Sequence, residues 1–316
     1  MVIDYEVVLA TFNGERYILQ QLKSIESQTI LPTRIIISDD GSTDSTLEII
    51  RIWQKSTKLS VNILPCSGVR LGSCKNFERL LSFTSSDYVM LSDQDDVWKK
   101  TKAESLLSEM IKLENSTPAR TPLLVYSDLA LIDNDGLLIS SSFYRYQRLN
   151  PFKNDWISLS LQNVVTGCSS LINSSCINLA LPFPDEVILH DWWLALVASR
   201  NGTTSLVFDD IVSYRQHDAN VIGAKGFFRL VLNRFHQVFN FKSLDHWIGL
   251  PLHQMRVCSE RFPSDNTLES QYIKSLFSPS SIIRLLAAFE LGLSKHGLLR
   301  TIGFYIALLF WNPSHH

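Results

Sequence analysis

Short runs of β-branched and aliphatic residues alternate with amphipathic stretches over the first 130 positions. Glu6 to Thr11 (EVVLAT) reads as a buried strand, and Tyr17-Ile18-Leu19 with Leu22 and Ile25 has the spacing of one helix face. Arg34 to Ser38 (RIIIS), Val61 to Leu64 and Tyr88 to Leu91 (YVML) predict three further strands. Helical patterns follow them over Ser45 to Gln54, Lys75 to Leu81 and Lys99 to about Leu113. This alternation implies an α/β fold, a mostly parallel sheet flanked by helices. Ligands of such sheets sit beyond the carboxyl ends of the strands. Those ends are Thr11-Phe12-Asn13, Ser38-Asp39-Asp40 and Ser92-Asp93-Gln94-Asp95-Asp96, all polar and two of them dense in carboxylates.

Beyond Leu123 the pattern loosens. Leu124 to Leu131, Val164 to Asn173 and Thr204 to Phe208 read as strands, Phe143 to Ile157 as a loop or short helix, and Asp191 to Ser199 as an apolar helix. Gly226 to Phe241 and Ser280 to Arg300 read as amphipathic helices, which divides the chain into a domain over 1–225 and a helical region over 226–316. Leu298 to Trp311 is a largely apolar stretch that would extend about 21 Å as a helix, too short to span a bilayer. Arg284 and Lys295 fall on nearly the same face of one continuous helix, an arrangement suited to an anionic membrane surface. Packing against the main domain or a second copy in a homodimer is the alternative.

Composition narrows the class. With 45% hydrophobic and 19% charged residues the chain is globular, and a net charge of −2 argues against a nucleic-acid partner. The charge is unevenly placed: Gly226 to His316 holds nine Lys/Arg against five Asp/Glu, so the acidic surplus lies in the first 225 residues. Five widely spaced cysteines show no metal-binding spacing, and reduced thiols are expected. No basic n-region precedes the first strand, so a cytoplasmic site of action is expected.

Three carboxylates within four residues, Asp93, Asp95 and Asp96, repel one another unless a cation or hydrogen-bond donors compensate. Oxygen ligands of this kind suit Mg²⁺ or Mn²⁺, and a solvated turn capping the next helix is the alternative. In Asp39-Asp40-Gly41-Ser42-Thr43-Asp44, capping does not require both paired aspartates, so one is open to a ligand, with mere capping as the equal alternative. His217 would complete a metal site only if the fold carried it there. Asp191 opens the apolar helix, as either a general base or a carboxylate favoured by the helix dipole. Trp192 and Trp193 cannot both face one core, so one could form a platform for an acceptor. No phosphate loop, GxGxxG turn or GxSxG elbow is present, which removes ATPase, dinucleotide-dependent dehydrogenase and α/β-hydrolase readings.

Ala10 to Gly14 (ATFNG), Ser38 to Asp44 (SDDGSTD), Leu91 to Trp98 (LSDQDDVW), His190 to Leu194 (HDWWL) and Tyr214 to His217 (YRQH) occur in an order that resembles family 2 glycosyltransferases of GT-A fold. The wordings DQDDVW and HDWW are most similar to the bacterial rhamnosyltransferase branch that builds O-antigen and cell-wall polysaccharide. The resemblance covers residues 4 to 225. It implies that Ala10, Phe12 and Asp40 line the nucleotide-base pocket, and that Asp93 and Asp95, with Asp96 close by, handle the ribose and the diphosphate-bound metal. It further implies His217 as a metal ligand, Asn76 near the donor, and Asp191 as general base, where many relatives have Glu-Asp and this chain has His190-Asp191. The implied activity is inverting, metal-dependent transfer of L-rhamnose from dTDP-β-L-rhamnose to a polyprenyl-diphosphate-linked glycan at the inner leaflet, by an enzyme held peripherally there. UDP-hexose donors, a sugar-nucleotide pyrophosphorylase and a non-catalytic binding module are the competing expectations.

Overall fold

The computed structural model describes residues 4–217 and 244–313. They form two compact units, the first from 1–143, 165–183 and 189–223, the second from 144–164, 184–188 and 224–316. The boundary expected at 225 and the helix expected over Gly226 to Phe241 lie outside the described residues.

In the first unit, β1 (Tyr5–Thr11) lies between β2 (Arg34–Asp39) and β4 (Tyr88–Ser92), parallel to both, and β3 (Val61–Ile63) adds parallel to β2. Helices α1 (Ile18–Glu26), α2 (Thr46–Ser56), α3 (Gly72–Leu81) and α4 (Lys102–Ser116) fill the crossovers. In α1, Ile18, Leu22 and Ile25 turn inward at helical spacing and are fully buried. Glu6 is the exception in an apolar strand. Its buried carboxylate pairs with Arg34 and accepts hydrogen bonds from the Ser85 and Ser86 backbone N–H groups.

Past β4 the sheet becomes mixed, within the mostly parallel order that was expected. The short β5 (Val97–Trp98) is followed by β6 (Leu123–Ile132), β7 (Leu138–Ser140), β8 (Ser170–Asn173) and β9 (Thr203–Arg215). The strand order is β3-β2-β1-β4-β8-β6-β9-β5, with β7 on β6. β8 is antiparallel to both β4 and β6, while β6 and β9 are parallel over a long register interrupted near Asp128. Two antiparallel steps restore direction. The carboxyl ends of β1, β2, β4, β6 and β9 therefore reach the same edge of the sheet, although a strand of opposite sense lies among them.

Between these strands α5 (Phe143–Gln147), α6 (Trp156–Leu161) and α7 (Ser174–Ala180) precede α8 (His190–Asn201). The second unit is helical among the described residues, with a π-turn at Asp245–Gly249 leading into α9 (Leu250–Arg261), then α10 (Thr267–Ser275), α11 (Ser281–Glu290) and α12 (Leu298–Phe310). The single helix expected over Ser280 to Arg300 is broken, because Gly292 and Gly297 adopt φ of +66° and +89°, where a side chain would be strained. Arg284 and Lys295 consequently share no helix face. Both are buried, and both donate to backbone carbonyls: Arg284 to Ser278, Pro279, Leu308 and Leu309, Lys295 to Leu161 and Trp247. Arg300 donates to the carbonyls of Gln147, Arg148 and His296. Lys295 and Arg300 tie segment 144–164 to the C-terminal helices, and Arg284 joins the end of α12 to the loop before α11, satisfying carbonyls that would otherwise be bare. No described helix is long and apolar enough to cross a membrane.

Arg284→Met leaves the buried Leu308 carbonyl, and the partly buried carbonyls of Ser278, Pro279 and Leu309, without this donor, at an expected cost of about 1–3 kcal/mol in the stability of the C-terminal unit. Urea unfolding followed by Trp fluorescence checks this. An unchanged midpoint would show that the guanidinium holds nothing together.

Candidate active site

At the shared edge lies a cavity of about 710 Å³ lined by Ala10, Phe12, Asp40, Asn76, Asp93, Asp95, Asp191 and His217, among others. Eight of the residues singled out in the sequence thus meet in one cleft, although they come from six separate segments of the chain.

One end is built by the β1, β2 and β4 termini. Gln94 ties the first to the last: its Oε1 accepts from Thr11 Oγ1 at 2.7 Å and from the Phe12 N–H at 2.9 Å, and its Nε2 donates to the Phe12 carbonyl at 3.0 Å. Gly14 has no side chain because a Cβ there would sit 2.2 Å from Gln94 Oε1. In the SDDGSTD turn, Gly41 takes φ of +89° and Asp39 accepts from the backbone N–H groups of Gly41 and Ser42. Asp40 is not left over by that arrangement. Its two oxygens accept from the N–H groups of Leu71 and Gly72 at 2.6 and 2.8 Å, which fixes the entry to α3. Beside it the Arg70 guanidinium lies 3.8 Å from the centre of the Phe12 ring, giving this end a planar, cationic wall.

Carboxylates form the floor. Asp96 is 1% exposed and accepts from the Arg215 backbone N–H at 3.1 Å. Burial, then the neighbouring Asp95, push its carboxyl up to about 7. Burial and the charges of Asp96, Asp95 and Asp191 hold Asp93 well above the carboxylate range. Two cations answer them. Lys102 on α4 is fully buried, donates to the Cys168 carbonyl at 2.6 Å and lies 3.1 Å from the centre of the Trp98 ring. Its burial lowers its pKa to about 7. Arg215 at the end of β9 donates to the carbonyls of Asp95, Asp133 and Asn134 and to Gln20 Oε1, and lies over the Tyr17 ring.

His217 Nε2 lies 2.7 Å from Asp95 Oδ2, so β9 delivers the imidazole to the carboxylate motif across 122 positions of sequence. An imidazole nitrogen and a carboxylate oxygen on the cavity wall, with Asp93 alongside, form a donor set suited to Mn²⁺ or Mg²⁺, and the excess of carboxylate favours a cation there. Asp93, Asp96 and Cys168 also bring one ligand atom each within 4.8 Å of one another. That group already has the Lys102 ammonium against it, and burial pushes the Cys168 thiol far up, so it is a poorer metal site.

On α8, Asp191 accepts from the Gly167 N–H at 3.0 Å and from the Trp192 N–H at 2.6 Å. Burial lifts its carboxyl to about 6, and these hydrogen bonds hold it from rising further. That is a fitting range for a proton acceptor near neutral pH. Trp193 does not belong to an acceptor platform. It is fully buried in the face of α8 that packs inward, and its Nε1 donates to the Ala180 carbonyl at 3.0 Å. Trp192 is half-buried.

Lys102, Arg215, Gln94 and Arg70 were not singled out by sequence. Lys102 carried a usable signal: it shares a four-residue spacing with Leu106 and Met110, the buried stripe of α4. Arg215 carried none, since its partners lie in two distant loops and on α1.

The family model for "Glycosyl transferase family 2" matches residues 6–157. A dTDP-rhamnosyl transferase of Shigella flexneri, RfbG, is 30% identical over 73% of this chain and 79% of its own length. A UDP-Glc:alpha-D-GlcNAc-diphosphoundecaprenol beta-1,3-glucosyltransferase of Escherichia coli, WfgD, is 22% identical over 62% of this chain and 70% of its own. Among solved structures, S. aureus TarS in complex with UDP-GlcNAc superposes with a TM-score of 0.52 at 15% identity, over 98% of this chain and 91% of that one. A mannosyltransferase from Pyrobaculum calidifontis, in complex with GDP-Man and Mn2+, gives 0.50 at 14%, over 97% and 84%. These structures share the GT-A fold. The sheet edge, the carboxylate motif and the relatives agree, and the chain belongs to glycosyltransferase family 2.

Proposed function

We propose that this glycosyltransferase moves L-rhamnose from dTDP-β-L-rhamnose to a hydroxyl of a polyprenyl-diphosphate-linked glycan, with inversion at the anomeric carbon. The observation that carries the reading is the single cavity in which the Asp95–His217 pair and Asp191 meet. The rhamnosyl donor is favoured by the similarity to RfbG, and a lipid-linked acceptor by the name of WfgD. UDP-linked hexoses are the second reading, since WfgD and TarS both carry a uridine nucleotide in their descriptions.

Asp95 and His217 would hold a divalent ion, which supplies positive charge to the leaving diphosphate when bound. Phe12 and Arg70 would wall the nucleobase, with Asp40 keeping the adjoining loop in place. Asp191 would take the proton from the acceptor hydroxyl as that oxygen attacks the face opposite the leaving group. The Gly167 and Trp192 N–H groups hold the carboxylate in one orientation while it does so. A single displacement inverts the centre, so a β-linked donor yields an α-L-rhamnoside.

The membrane side of the proposal rests on the second unit. Ile282, Ile283, Leu286 and Phe289 of α11 and Leu298, Leu299 and Ile302 of α12 are exposed, Phe289 at 72% and Leu298 at 74%. A patch of this kind marks an interaction surface, and an acyl-chain boundary would bury it. The interaction would be apolar rather than electrostatic, because Arg284, Lys295 and Arg300 face inward.

Four outcomes are expected. Asp191→Asn lowers turnover about 10²–10⁴-fold with nucleotide affinity retained. In the wild type, kcat/KM rises with pH through about 6, as Asp191 of the free enzyme loses its proton, and the variant loses that rise. Rate profiles from pH 5 to 8 check both, and a variant of near-normal turnover would remove Asp191 from the chemistry. Asp95→Ala weakens Mn²⁺-dependent nucleotide binding by at least roughly tenfold, about 1.4 kcal/mol, measured by calorimetry with and without the metal. Leu286→Glu with Phe289→Glu lowers co-sedimentation with lipid vesicles by more than about tenfold, given ~1.5–3 kcal/mol for each large apolar side chain. If the wild type ignores vesicles and sediments as a dimer, the face serves a second copy instead.

A further inference from the structure

Next to Asp191, the cavity wall contains a side chain that neither the proton transfer nor the packing explains. His190 opens α8, is 6% exposed, and stacks on Phe77 with ring centroids 3.8 Å apart and planes 19° apart. Neither Nδ1 nor Nε2 has a hydrogen-bond partner. Burial pushes its pKa down to about 3, so the imidazole is neutral, with one N–H donor and one bare acceptor nitrogen. For stacking on Phe77 alone, a phenyl ring would do the same work without leaving two polar atoms unpaired.

A second orphan lies on the same wall. Asn76, one position before Phe77, is 2% exposed and donates its Nδ2 to the Ser38 carbonyl at 3.0 Å, while its Oδ1 has no partner. Gly167 completes the pattern. A Cβ at Gly167 would stand 2.8 Å from His190 Nε2 and 3.4 Å from Asp191 Cβ, so the bare backbone is what lets the imidazole lie beside the carboxylate. Turning the ring by 180° about Cβ–Cγ exchanges each nitrogen with a carbon and keeps the stack, so either nitrogen can be offered to the cavity without repacking.

We propose that His190 is a specificity-determining residue that exchanges hydrogen bonds with a hydroxyl of the donor's sugar ring, with Asn76 Oδ1 accepting from the same or the adjacent hydroxyl. A hydroxyl both donates and accepts, which is the complement of a neutral imidazole. The nucleobase is walled at the Phe12–Arg70 end, whereas His190 adjoins the proton acceptor, where the transferred sugar must lie. Buried polar groups that only the right ligand can pair reject a ligand lacking the hydroxyl strongly. This inference rests on the nucleotide-sugar reading of the site, but not on rhamnose being the sugar.

The test compares wild type, His190→Phe and His190→Gln by calorimetry with Mn²⁺, using dTDP, UDP, dTDP-β-L-rhamnose and UDP-glucose as probes. His190→Phe is expected to bind the free nucleoside diphosphates as the wild type does and to lose at least tenfold in affinity for the sugar nucleotide, with His190→Gln recovering part of the loss. Equal loss for sugar nucleotide and free diphosphate, or no loss for either, overturns the proposal. If only UDP-glucose shows the selective loss, the rhamnose reading falls and the role of His190 stands. Should His190→Phe fail to fold, Gly167→Ala displaces the ring and must produce the same selective loss, and its absence counts against the proposal equally.

Discussion

The site depends on how its negative charge is restrained. Asp93, Asp95, Asp96 and Asp191 approach one cleft, and in a poorly solvated setting such a group would force the strand ends apart or take up protons. Burial and mutual repulsion do push Asp93 and Asp96 up, the Lys102 ammonium draws both back down, and among the described residues the Arg215 guanidinium makes no hydrogen bond to a carboxylate oxygen of the group. Arg215 instead grips the loop by its carbonyls and N–H group, leaving the Asp95 side chain to His217. Backbone is fixed by buried cations so that side-chain oxygens remain for a ligand.

The sheet serves the same end. β9 is the longest strand at 13 residues, and its register along β6 slips near Asp128 before it continues to Arg215. That length carries Tyr214, Arg215 and His217 to the edge where β1, β2 and β4 terminate. The antiparallel β8 between β4 and β6 widens the sheet at this point, and its approach through Gly167 supplies the N–H that orients Asp191. Fold irregularity and chemistry coincide here.

Much of this was legible in the residues. The four βα repeats stand out because buried parallel strands read as uninterrupted aliphatic runs, and the carboxylate motifs fall directly at their ends. The mixed second half was harder, since a strand such as Ser170–Asn173 is four residues long and carries no period of its own. Which of Trp192 and Trp193 faces inward stayed open, because composition alone does not say it, and the register of α8 settles it for Trp193. Arg284 and Lys295 were misread for a related cause: a pair of glycines in the left-handed region ended the helix that would have aligned them. Asp40 was expected to be spare because its partners, Leu71 and Gly72, donate through backbone that sequence cannot locate.

The interleaving of the two units bears on how the chain comes off the ribosome. Trp156, Leu159 and Leu161 belong to the C-terminal unit, yet α9, which packs on their helix, and the Lys295 and Arg300 side chains that fasten their segment are made much later in the chain. During synthesis this apolar stretch emerges well before the segments that cover it. Each unit is discontinuous in sequence, so a cut between 143 and 224 leaves at least one of them short of the pieces its interior requires.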